Sequence, residues 1–374
     1  MVAIEPVLPD YDGRVLGNLL PAVATALGLP GGNDPFGLPA ARRYVVLLVD
    51  GLGWDLLWRH LDRAPTLAER APETVKLTCG VPSTTVTSLS SFGTGLAPGQ
   101  HGLVGYRFWV EEVGRYVGPL GWNWPVPPSR AQPAATVFEQ VAAAGLTVAR
   151  VLPADHAESQ FSQAVLRGGL ALGFDEADDD DLVDRVAAAV QSGPGALVYC
   201  YDRSLDHAGH LAGVASQGWL DAFERLDQRV SRLRQGLPED VVLLLTADHG
   251  MVDPPSQRRL WIEDDRSLTA DLARVTGEPR FRHLHTSRPA ALAQRWRDRL
   301  GPTAWVRTRD EAIAEGWFGP VRPLARGRLG DVMVAAGPDL ALFTRRAAVE
   351  ARLVGMHGSL TAAEMEIPLI VWSH

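Results

Sequence analysis

The chain has 374 residues, 46% of them hydrophobic, so it can bury a sizeable core in one large domain or two moderate ones. Its 36 basic and 44 acidic residues give a net charge of −8, which offers no basic surface for a nucleic-acid polymer. Two cysteines, Cys79 and Cys200, are too few for a disulfide scaffold or a thiolate metal site, so any metal must be held by oxygen and nitrogen.

The N-terminal segment 1–30 shows no targeting pattern. It lacks a basic stretch followed by an apolar one, and acidic residues and prolines interrupt its apolar positions. Nowhere do about 18 apolar residues run without a charge, as a membrane-spanning helix would require. These features predict a cytoplasmic protein that is not embedded in a membrane.

Short apolar runs alternate with longer helical patterns along the chain, as in an α/β protein built around a mostly parallel sheet. Continuous Val and Leu runs are typical of strands buried on both faces. They predict strands at 43–50, 146–152, 195–201, 240–248 and 331–336. Apolar residues at helical spacing predict helices at 55–70, 136–144, 180–191 and 216–235.

Residues from about 254 to 330 differ in composition and pattern from the rest of the chain. This part is rich in arginine, and strand-like stretches alternate with helix-like ones. We expect a single catalytic domain over residues 1–374, with a small cap-like α/β subdomain inserted at about 254–330.

A cluster of hydroxyls occupies the stretch GVPSTTVTS at 80–88. Such clusters usually order loops and cap helices, because their side chains bond nearby backbone groups. A catalytic nucleophile would also need a base or a metal that lowers the pKa of the hydroxyl. The rest of the chain therefore has to supply an activator.

Candidate activators lie where predicted strands end. Asp50 closes the strand at 43–50, and Asp248, followed by His249, closes the strand at 240–248. The carboxyl ends of parallel strands face the ligand crevice of an open α/β sheet, so these side chains are expected to point toward a site. A lone Asp after a strand is also a common helix N-cap.

A second group of candidates follows the strand at 195–201. If a helix begins near Asp206, then Asp206 and His210 lie one turn apart on the same face, about 5 to 6 Å apart at Cβ, which suits two ligands of one metal. His207 faces elsewhere and is interpreted as a surface residue. His357, in the fragment MHGS at 356–359, carries no signal by itself.

In their order along the chain, these fragments resemble the type I nucleotide pyrophosphatase/phosphodiesterases of the alkaline phosphatase superfamily. The resemblance covers about residues 43–371 and implies a doubly wound α/β fold of alkaline phosphatase type. The matching fragments are Asp50, PSTT at 82–85, TGLAPGQHG at 94–102, Asp206 with His210, DHGM at 248–251, His357, and Glu366 before IPLIV at 367–371.

The resemblance also implies a two-metal site. It assigns Asp206, His210 and His357 to one metal, and Asp50, Thr85, Asp248 and His249 to the other. Imidazole and carboxylate ligands without thiolate suit two Zn²⁺ ions, with Mn²⁺ or Fe as alternatives. Thr85 is the implied nucleophile, and its neighbour Thr84 is the rival, because a slip of one residue would still supply a hydroxyl.

The implied activity is hydrolysis of phosphodiester or pyrophosphate bonds in a small-molecule phosphate ester or nucleotide-like substrate, through a covalent phospho-threonine. In this reading, Ser83, Thr84 and Thr87 order the loop through local backbone hydrogen bonds. The same scaffold also serves phosphomonoesterases, phosphonate hydrolases and sulfatases. A phosphate- or nucleotide-binding protein without catalysis is the alternative from another class.

Two departures from the family pattern concern the substrate. The family often has an aromatic residue directly after the nucleophile and an Asn three positions on, where this chain has Val86 and Ser88. Ser88 can still donate a hydrogen bond to a phosphate oxygen. A stacking face for a base could come instead from residues that are equally suited to a core or a lid, namely Tyr106, Phe108, Trp109, Trp122 and Trp124.

Overall fold

The computed structural model describes residues 5–30, 32–193 and 195–373. The strands, numbered in chain order, are β1 (Arg43–Val49), β2 (Val75–Thr78), β3 (Phe108–Val110), β4 (Arg115–Val117), β5 (Thr147–Pro153), β6 (Leu170–Phe174), β7 (Ala196–Asp202), β8 (Val241–Ala247), β9 (Arg259–Trp261), β10 (Arg274–Glu278), β11 (Phe281–His285), β12 (Ala304–Thr308), β13 (Val332–Ala336), β14 (Ala341–Phe343) and β15 (Glu366–Trp372). The α-helices are α1 (Leu19–Ala26), α2 (Trp54–Arg59), α3 (Pro65–Ala68), α4 (Thr85–Thr94), α5 (Pro98–His101), α6 (Pro128–Ala131), α7 (Val137–Ala143), α8 (Ala154–Ala157), α9 (Gln160–Val165), α10 (Asp181–Gln191), α11 (Ser204–Ala212), α12 (Gln217–Gly236), α13 (Arg266–Thr269), α14 (Pro289–Leu300), α15 (Arg309–Ala314), α16 (Pro323–Arg328) and α17 (Ala362–Met365).

The centre of the fold is a seven-stranded sheet with the strand order β2-β15-β8-β1-β7-β5-β6. The strands from β8 to β6 in this order run parallel, and β15 is antiparallel to both of its neighbours. Every residue of β7 and β8 is buried, which explains their continuous apolar sequence. The predicted doubly wound, mostly parallel α/β fold is confirmed.

Most predicted strands and helices begin and end within one residue of their predicted bounds, but one predicted helix is broken. The stretch 55–70 forms α2, a 3₁₀ turn at Leu61–Arg63, and the short helix α3. The break falls before Pro65, because proline has no N–H to donate and its ring clashes with the preceding turn of a helix. Pro65 is instead the first residue of α3, where its fixed φ is favourable.

Helices α4 and α7 pack on one face of the sheet through an aromatic cluster. The ring centroids of Phe92 in α4 and Phe138 in α7 lie 5.1 and 5.8 Å from that of Tyr199 in β7.

Both cysteines are buried free thiols. Among the described residues, every helix is too short or too polar to span a bilayer.

A second, four-stranded antiparallel sheet has the order β10-β11-β13-β12. Helix α14 packs on it, and Leu284, Trp296 and Val334 belong to a hydrophobic cluster separate from the main core. The strand predicted at 331–336 lies in this sheet as β13, beyond residue 330. The subdomain boundaries at about 254 and 330 stay a prediction.

A buried ion pair connects this second sheet to the segment that precedes β15. Arg280, between β10 and β11, donates from Nε and Nη2 to the two carboxylate oxygens of Glu364 at 3.0 and 2.7 Å, and both side chains are fully buried. Glu364 also accepts from the Thr361 hydroxyl at 2.6 Å and the Ser359 amide at 3.1 Å. Four donors thus satisfy one buried carboxylate, which joins the two sheets.

We predict that Glu364→Ala lowers the free energy of unfolding by about 3 to 5 kcal/mol, because the Arg280 guanidinium would remain buried without a carboxylate partner. The matched control is Glu366→Ala, which breaks the exposed 2.6 Å pair with Lys76 and should cost less than about 1 kcal/mol. Urea unfolding measures both variants. Equal losses would contradict the importance of the buried pair.

Candidate active site

The candidate site lies at the carboxyl ends of three adjacent parallel strands. Asp50 follows β1, Asp248 and His249 follow β8, and α11, which begins two residues after β7, carries Asp206. Gly51 turns the chain with φ of 79°, and a Cβ there would lie 3.1 Å from the Cα of Asp206. Glycine therefore allows these two segments to approach each other so closely.

The predicted first ligand set comes together in the structure. Nε2 of His210 lies 3.3 Å from Oδ1 of Asp206, and Nε2 of His357 lies 3.8 Å from the same oxygen. The ligand atoms of this set lie within 4.8 Å of one another. His357 is 147 residues beyond His210 in the numbering, and only the fold brings the two rings together, with centroids 5.1 Å apart.

The predicted second set is also assembled. Nε2 of His249 lies 3.3 Å from Oδ1 of Asp50 and 3.4 Å from Oδ2 of Asp248, and all three side chains are buried. Asp50 and His249 also form a group with Asp206 in which the ligand atoms lie within 4.8 Å of one another. Asp206 therefore lies between the two sets.

Each histidine is oriented by a backbone carbonyl at its Nδ1. The Nδ1 atoms of His210, His249 and His357 lie 2.8, 3.1 and 3.0 Å from the carbonyl oxygens of Gly355, Gly250 and Ser83. This contact favours the tautomer with the proton on Nδ1, which leaves the Nε2 lone pair free to bind a metal. Burial lowers the pKa of His249 to about 4 and holds that of His357 well below its usual range, so both rings stay neutral.

Each of the three aspartates has a carboxylate oxygen that no group in the described part of the chain pairs with. Oδ1 of Asp50, Oδ1 of Asp206 and Oδ2 of Asp248 are inaccessible to solvent and have no hydrogen-bond partner among the described residues. Burial and the neighbouring carboxylates raise the pKa of Asp206 to about 8 and that of Asp248 to about 7. Unpaired oxygens beside three free Nε2 atoms fit divalent cations, and the nitrogen and oxygen donors suit Zn²⁺.

Thr85 places its hydroxyl against the second set. As the first residue of α4, it puts Oγ1 3.2 Å from Nε2 of His249 and donates to Oδ2 of Asp50 at 3.5 Å. The Thr84 hydroxyl donates instead to Glu278 at 3.1 Å. The two neighbouring threonines thus have different partners.

The expectation that Ser83, Thr84 and Thr87 order their loop through local bonds is wrong. Ser83 donates to the Ser359 carbonyl at 2.7 Å, and Thr87 donates to the Leu103 carbonyl at 3.3 Å. The segment is buried between distant parts of the chain, so tertiary acceptors lie nearer than local ones.

Ser88 is fully buried and donates its proton to the Asp248 carbonyl at 2.6 Å. A bond from Ser88 to a phosphate oxygen would have to replace this contact. The role of Ser88 as a phosphate donor stays a prediction.

Sequence reasoning missed two buried residues at the site. The Tyr201 hydroxyl makes a short hydrogen bond to Oδ2 of Asp50. Glu278, at the end of β10, accepts from Thr84 and lies 3.8 Å from Nδ1 of His357. Tyr201 could have been found as the last residue of a predicted strand. Glu278 gave no signal, because its strand belongs to the arginine-rich region far away in sequence.

A cleft of about 1020 Å³ opens onto these residues. Of the aromatic residues considered for stacking, Tyr106 lines the cleft, whereas Phe108 and Trp124 are buried with their rings 5.6 Å apart. Trp109 packs on Tyr116, and Trp122 packs on Trp124. His207 is exposed at the rim of the cleft, as its interpretation as a surface residue requires.

We predict that the metal-free protein loses stability as pH rises from 6.5 to 8. Folded Asp206 and Asp248 ionise only near pH 8 and 7, against an ordinary value of 3.8, so the folded state holds protons that the unfolded chain has already released. Below 6.5 the lowered histidine pKa values act in the opposite direction. Thermal unfolding in excess chelator across this range measures the effect.

Two controls accompany this measurement. Excess Zn²⁺ should flatten the pH dependence, because the cations pair with the ionised carboxylates. Asp206→Asn should reduce the slope in chelator by up to about 1.4 kcal/mol per pH unit. A chelated protein that gains stability over this range would contradict the prediction.

Comparison with known proteins identifies the family of this chain and shows similar folds. The family model described as type I phosphodiesterase/nucleotide pyrophosphatase matches residues 44–360. Murine ectonucleotide pyrophosphatase/phosphodiesterase 5 is similar with a TM-score of 0.70 and 16% identity, over 88% of each chain. Phosphonoacetate hydrolase from Sinorhizobium meliloti, solved with phosphonoacetate, is similar with a TM-score of 0.66 and 20% identity, over 89% of this chain and 90% of that one.

An inactive threonine-to-alanine variant of the murine protein in complex with AMP is similar with a TM-score of 0.71 and 15% identity, over 89% of this chain and 88% of that one. No curated protein sequence matches the chain. The family match spans most of the chain, from β1 past His357. This protein is therefore an enzyme of the type I phosphodiesterase/nucleotide pyrophosphatase family, a hydrolase on an alkaline phosphatase-like fold.

Proposed function

We propose that this enzyme cleaves phosphodiester or pyrophosphate bonds in a small-molecule phosphate ester or nucleotide-like substrate, through a covalent phosphate ester of Thr85. The observation that carries the proposal is the position of the Thr85 hydroxyl, 3.2 Å from His249 and 3.5 Å from Asp50. A threonine hydroxyl is a weak nucleophile until a neighbouring group lowers its pKa. Here it lies among the candidate ligands.

The site residues would hold two divalent cations, with Zn²⁺ the best fit and Mn²⁺ or Fe as alternatives. Their proposed ligands are Asp206, His210 and His357 for one, and Asp50, Thr85, Asp248 and His249 for the other. When bound, such cations lower the pKa of an attacking hydroxyl or water and neutralise the charge that develops on the leaving oxygen.

The chain's own groups would supply attack and orientation. The Thr85 hydroxyl gives up its proton toward Oδ2 of Asp50, and its oxygen bonds to phosphorus while the bond to the leaving oxygen breaks. Water then cleaves the Thr85–phosphate bond and restores the hydroxyl. No side chain caps the N-terminus of α4, so the backbone N–H groups of its first turn are suited to donate hydrogen bonds to an anionic phosphoryl oxygen.

The comparisons support two candidate substrates. The inactive threonine variant of the murine protein holds AMP, which favours a nucleotide-like phosphate ester and a threonine-dependent reaction. Phosphonate hydrolysis is the second candidate, because a similar structure is a phosphonoacetate hydrolase. Both relatives share 20% identity or less with this chain, so these likenesses by themselves show a common fold.

We predict that Thr85→Ala keeps its bound metal but loses turnover by several orders of magnitude, as removal of an attacking group does in other enzymes. The matched control is Thr84→Ala, which removes the adjacent hydroxyl and its bond to Glu278 and should cost far less. Both variants are compared for kcat and for metal content. An inactive Thr84→Ala beside an active Thr85→Ala would move the nucleophile by one residue.

We predict that bis-p-nitrophenyl phosphate is turned over faster than p-nitrophenyl phosphate, p-nitrophenyl sulfate and phosphonoacetate. A threonine nucleophile with no arginine next to it in the sequence favours the monoanion of a diester over the dianion of a monoester. Initial rates with each compound on the Zn²⁺-loaded enzyme decide the order. Dominant turnover of phosphonoacetate would select the second candidate, and dominant turnover of the monoester or the sulfate would reject the diester assignment.

A further inference from the structure

We propose that Glu278 forms a subsite beside Thr85 that binds a protonated primary amine on the organic group of the substrate. This inference rests on the proposed function, because a short spacer would join the amine to a phosphoryl group that lies at Thr85. The substrate class would then be an aminoalkyl phosphate ester.

The Glu278 carboxylate lies next to both the proposed nucleophile segment and a proposed metal ligand. Its Oε2 accepts from the Thr84 hydroxyl at 3.1 Å and lies 3.8 Å from Nδ1 of His357. Thr84 directly precedes Thr85 in the chain, and adjacent Cα atoms are about 3.8 Å apart. All four of these residues line the same cleft. A substrate with its phosphoryl group at Thr85 therefore needs only a short organic group to reach Glu278.

One oxygen of this carboxylate has no partner. Glu278 is 5% exposed, and its Oε1 has no hydrogen-bond partner among the described residues. Nδ1 of His357 faces the Ser83 carbonyl at 3.0 Å, and the lowered pKa of this histidine keeps its ring neutral. Arg282 acts on Glu278 electrostatically, but its guanidinium is bound to Glu350 at 2.6 Å. The carboxylate of Glu278 thus has one oxygen available for a ligand.

The other carboxylates that line the cleft, outside the proposed ligand sets, show how such a charge is satisfied in this protein. Asp155, Glu176 and Glu350 each contact an arginine at 3.1 Å or less. In the described ranges, no arginine or lysine pairs with Glu278 in this way. A buried carboxylate without a cation is costly. An ammonium group of the substrate would offset this cost, because it supplies the positive charge that a substrate hydroxyl lacks.

The groups around Glu278 fit an ammonium group better than a further metal ion. Glu278 belongs to neither of the two candidate metal-binding groups found among the described residues. The Thr84 oxygen has donated its proton to Glu278, so it can accept a second N–H of the ammonium group.

Tyr106 adds an aromatic ring to this part of the cleft. It is 39% exposed on the cleft wall, its backbone N–H acts on the Glu278 carboxylate, and its hydroxyl lies near enough to Glu278 for their charges to interact. The face of an aromatic ring attracts a cation. Tyr106 and Glu278 therefore favour the same kind of ligand.

Isothermal titration calorimetry of the Zn²⁺-loaded protein with three phosphonates tests this proposal. The compounds are 2-aminoethylphosphonate, 2-hydroxyethylphosphonate and propylphosphonate, which share a phosphoryl group and a chain length and differ at the terminal group. We expect the wild-type protein to bind the amine at least about tenfold more tightly than propylphosphonate, as one charge-assisted hydrogen bond allows. The hydroxyl compound should bind with intermediate affinity, because it forms a hydrogen bond without a charge.

Two variants test whether the carboxylate causes this preference. Glu278→Gln removes the charge at nearly constant size, so the preference for the amine over propylphosphonate should fall to about threefold or less, with the affinity for propylphosphonate changed by less than about twofold. The matched control is Glu176→Gln, which neutralises a carboxylate of the same cleft that Arg203 already pairs with. It should retain the preference. Equal losses in the two variants would show a general effect of the cleft's charge and would overturn the subsite.

Metal content and thermal stability separate ligand binding from a structural role. Glu278→Gln should keep its bound zinc, because Glu278 is outside the proposed ligand sets. It should not lower the thermal midpoint of the ligand-free protein, because it removes an unpaired buried charge. Loss of zinc together with weaker binding of all three phosphonates would show that Glu278 supports His357 and would overturn the subsite.

The remaining failures are distinguishable. Equal affinity of the wild-type protein for the three phosphonates would overturn the subsite and leave the proposed function standing. Tighter binding of the hydroxyl compound than of the amine would also overturn it, in favour of a neutral donor. A wild-type protein that binds none of the three compounds would reject the proposed phosphoryl site together with the subsite.

Discussion

The structure depends on the meeting of three aspartates at one edge of a parallel sheet, where Asp50 and Asp248 are buried and Asp206 is partly buried. Adjacent strands β8, β1 and β7 end at this edge, so Asp248, Asp50 and Asp206 come together with carboxylate oxygens that the described chain leaves unpaired. Burial removes water from these carboxylates, and each ionised neighbour adds repulsion, so their pKa values rise without a cation. The surrounding histidines, each held at Nδ1 by a backbone carbonyl, complete a donor set that suits divalent metal ions.

The nucleophile segment and the C-terminal histidine form one structural unit. Ser83 forms an isolated β-bridge with Gly358, and its carbonyl oxygen accepts from Nδ1 of His357, so the segment before Thr85 and the segment of His357 position each other. The buried pair of Arg280 and Glu364 fixes this unit against the second sheet. That sheet is thereby linked to the geometry of the site, although its own strands lie outside the parallel core.

The candidate site contains carboxylate oxygens without partners. Near Thr85, one oxygen each of Asp50, Asp206 and Asp248 has no hydrogen-bond partner among the described residues, and such oxygens fit cations. Burial of a polar group without a partner costs free energy. A fold tolerates this cost where the ligand that offsets it is part of the function. The buried side chains of Arg280 and Arg282, in contrast, are paired with Glu364 and Glu350.

Local pattern in the sequence was sufficient for four of the seven strands of the central sheet, β1, β5, β7 and β8, but it did not predict β2, β6 or β15. It was also sufficient for the position of Asp50, Asp206, His210, Asp248 and His249 near strand ends, because period and strand-end placement are short-range properties. Tertiary structure decided what depends on distant partners. It turns Thr85 toward His249 and Thr84 toward Glu278, and it buries Glu364 while Glu366, the acid noted from the motif, pairs with Lys76 at the surface. These contacts join residues far apart in sequence, so no local periodicity could predict them.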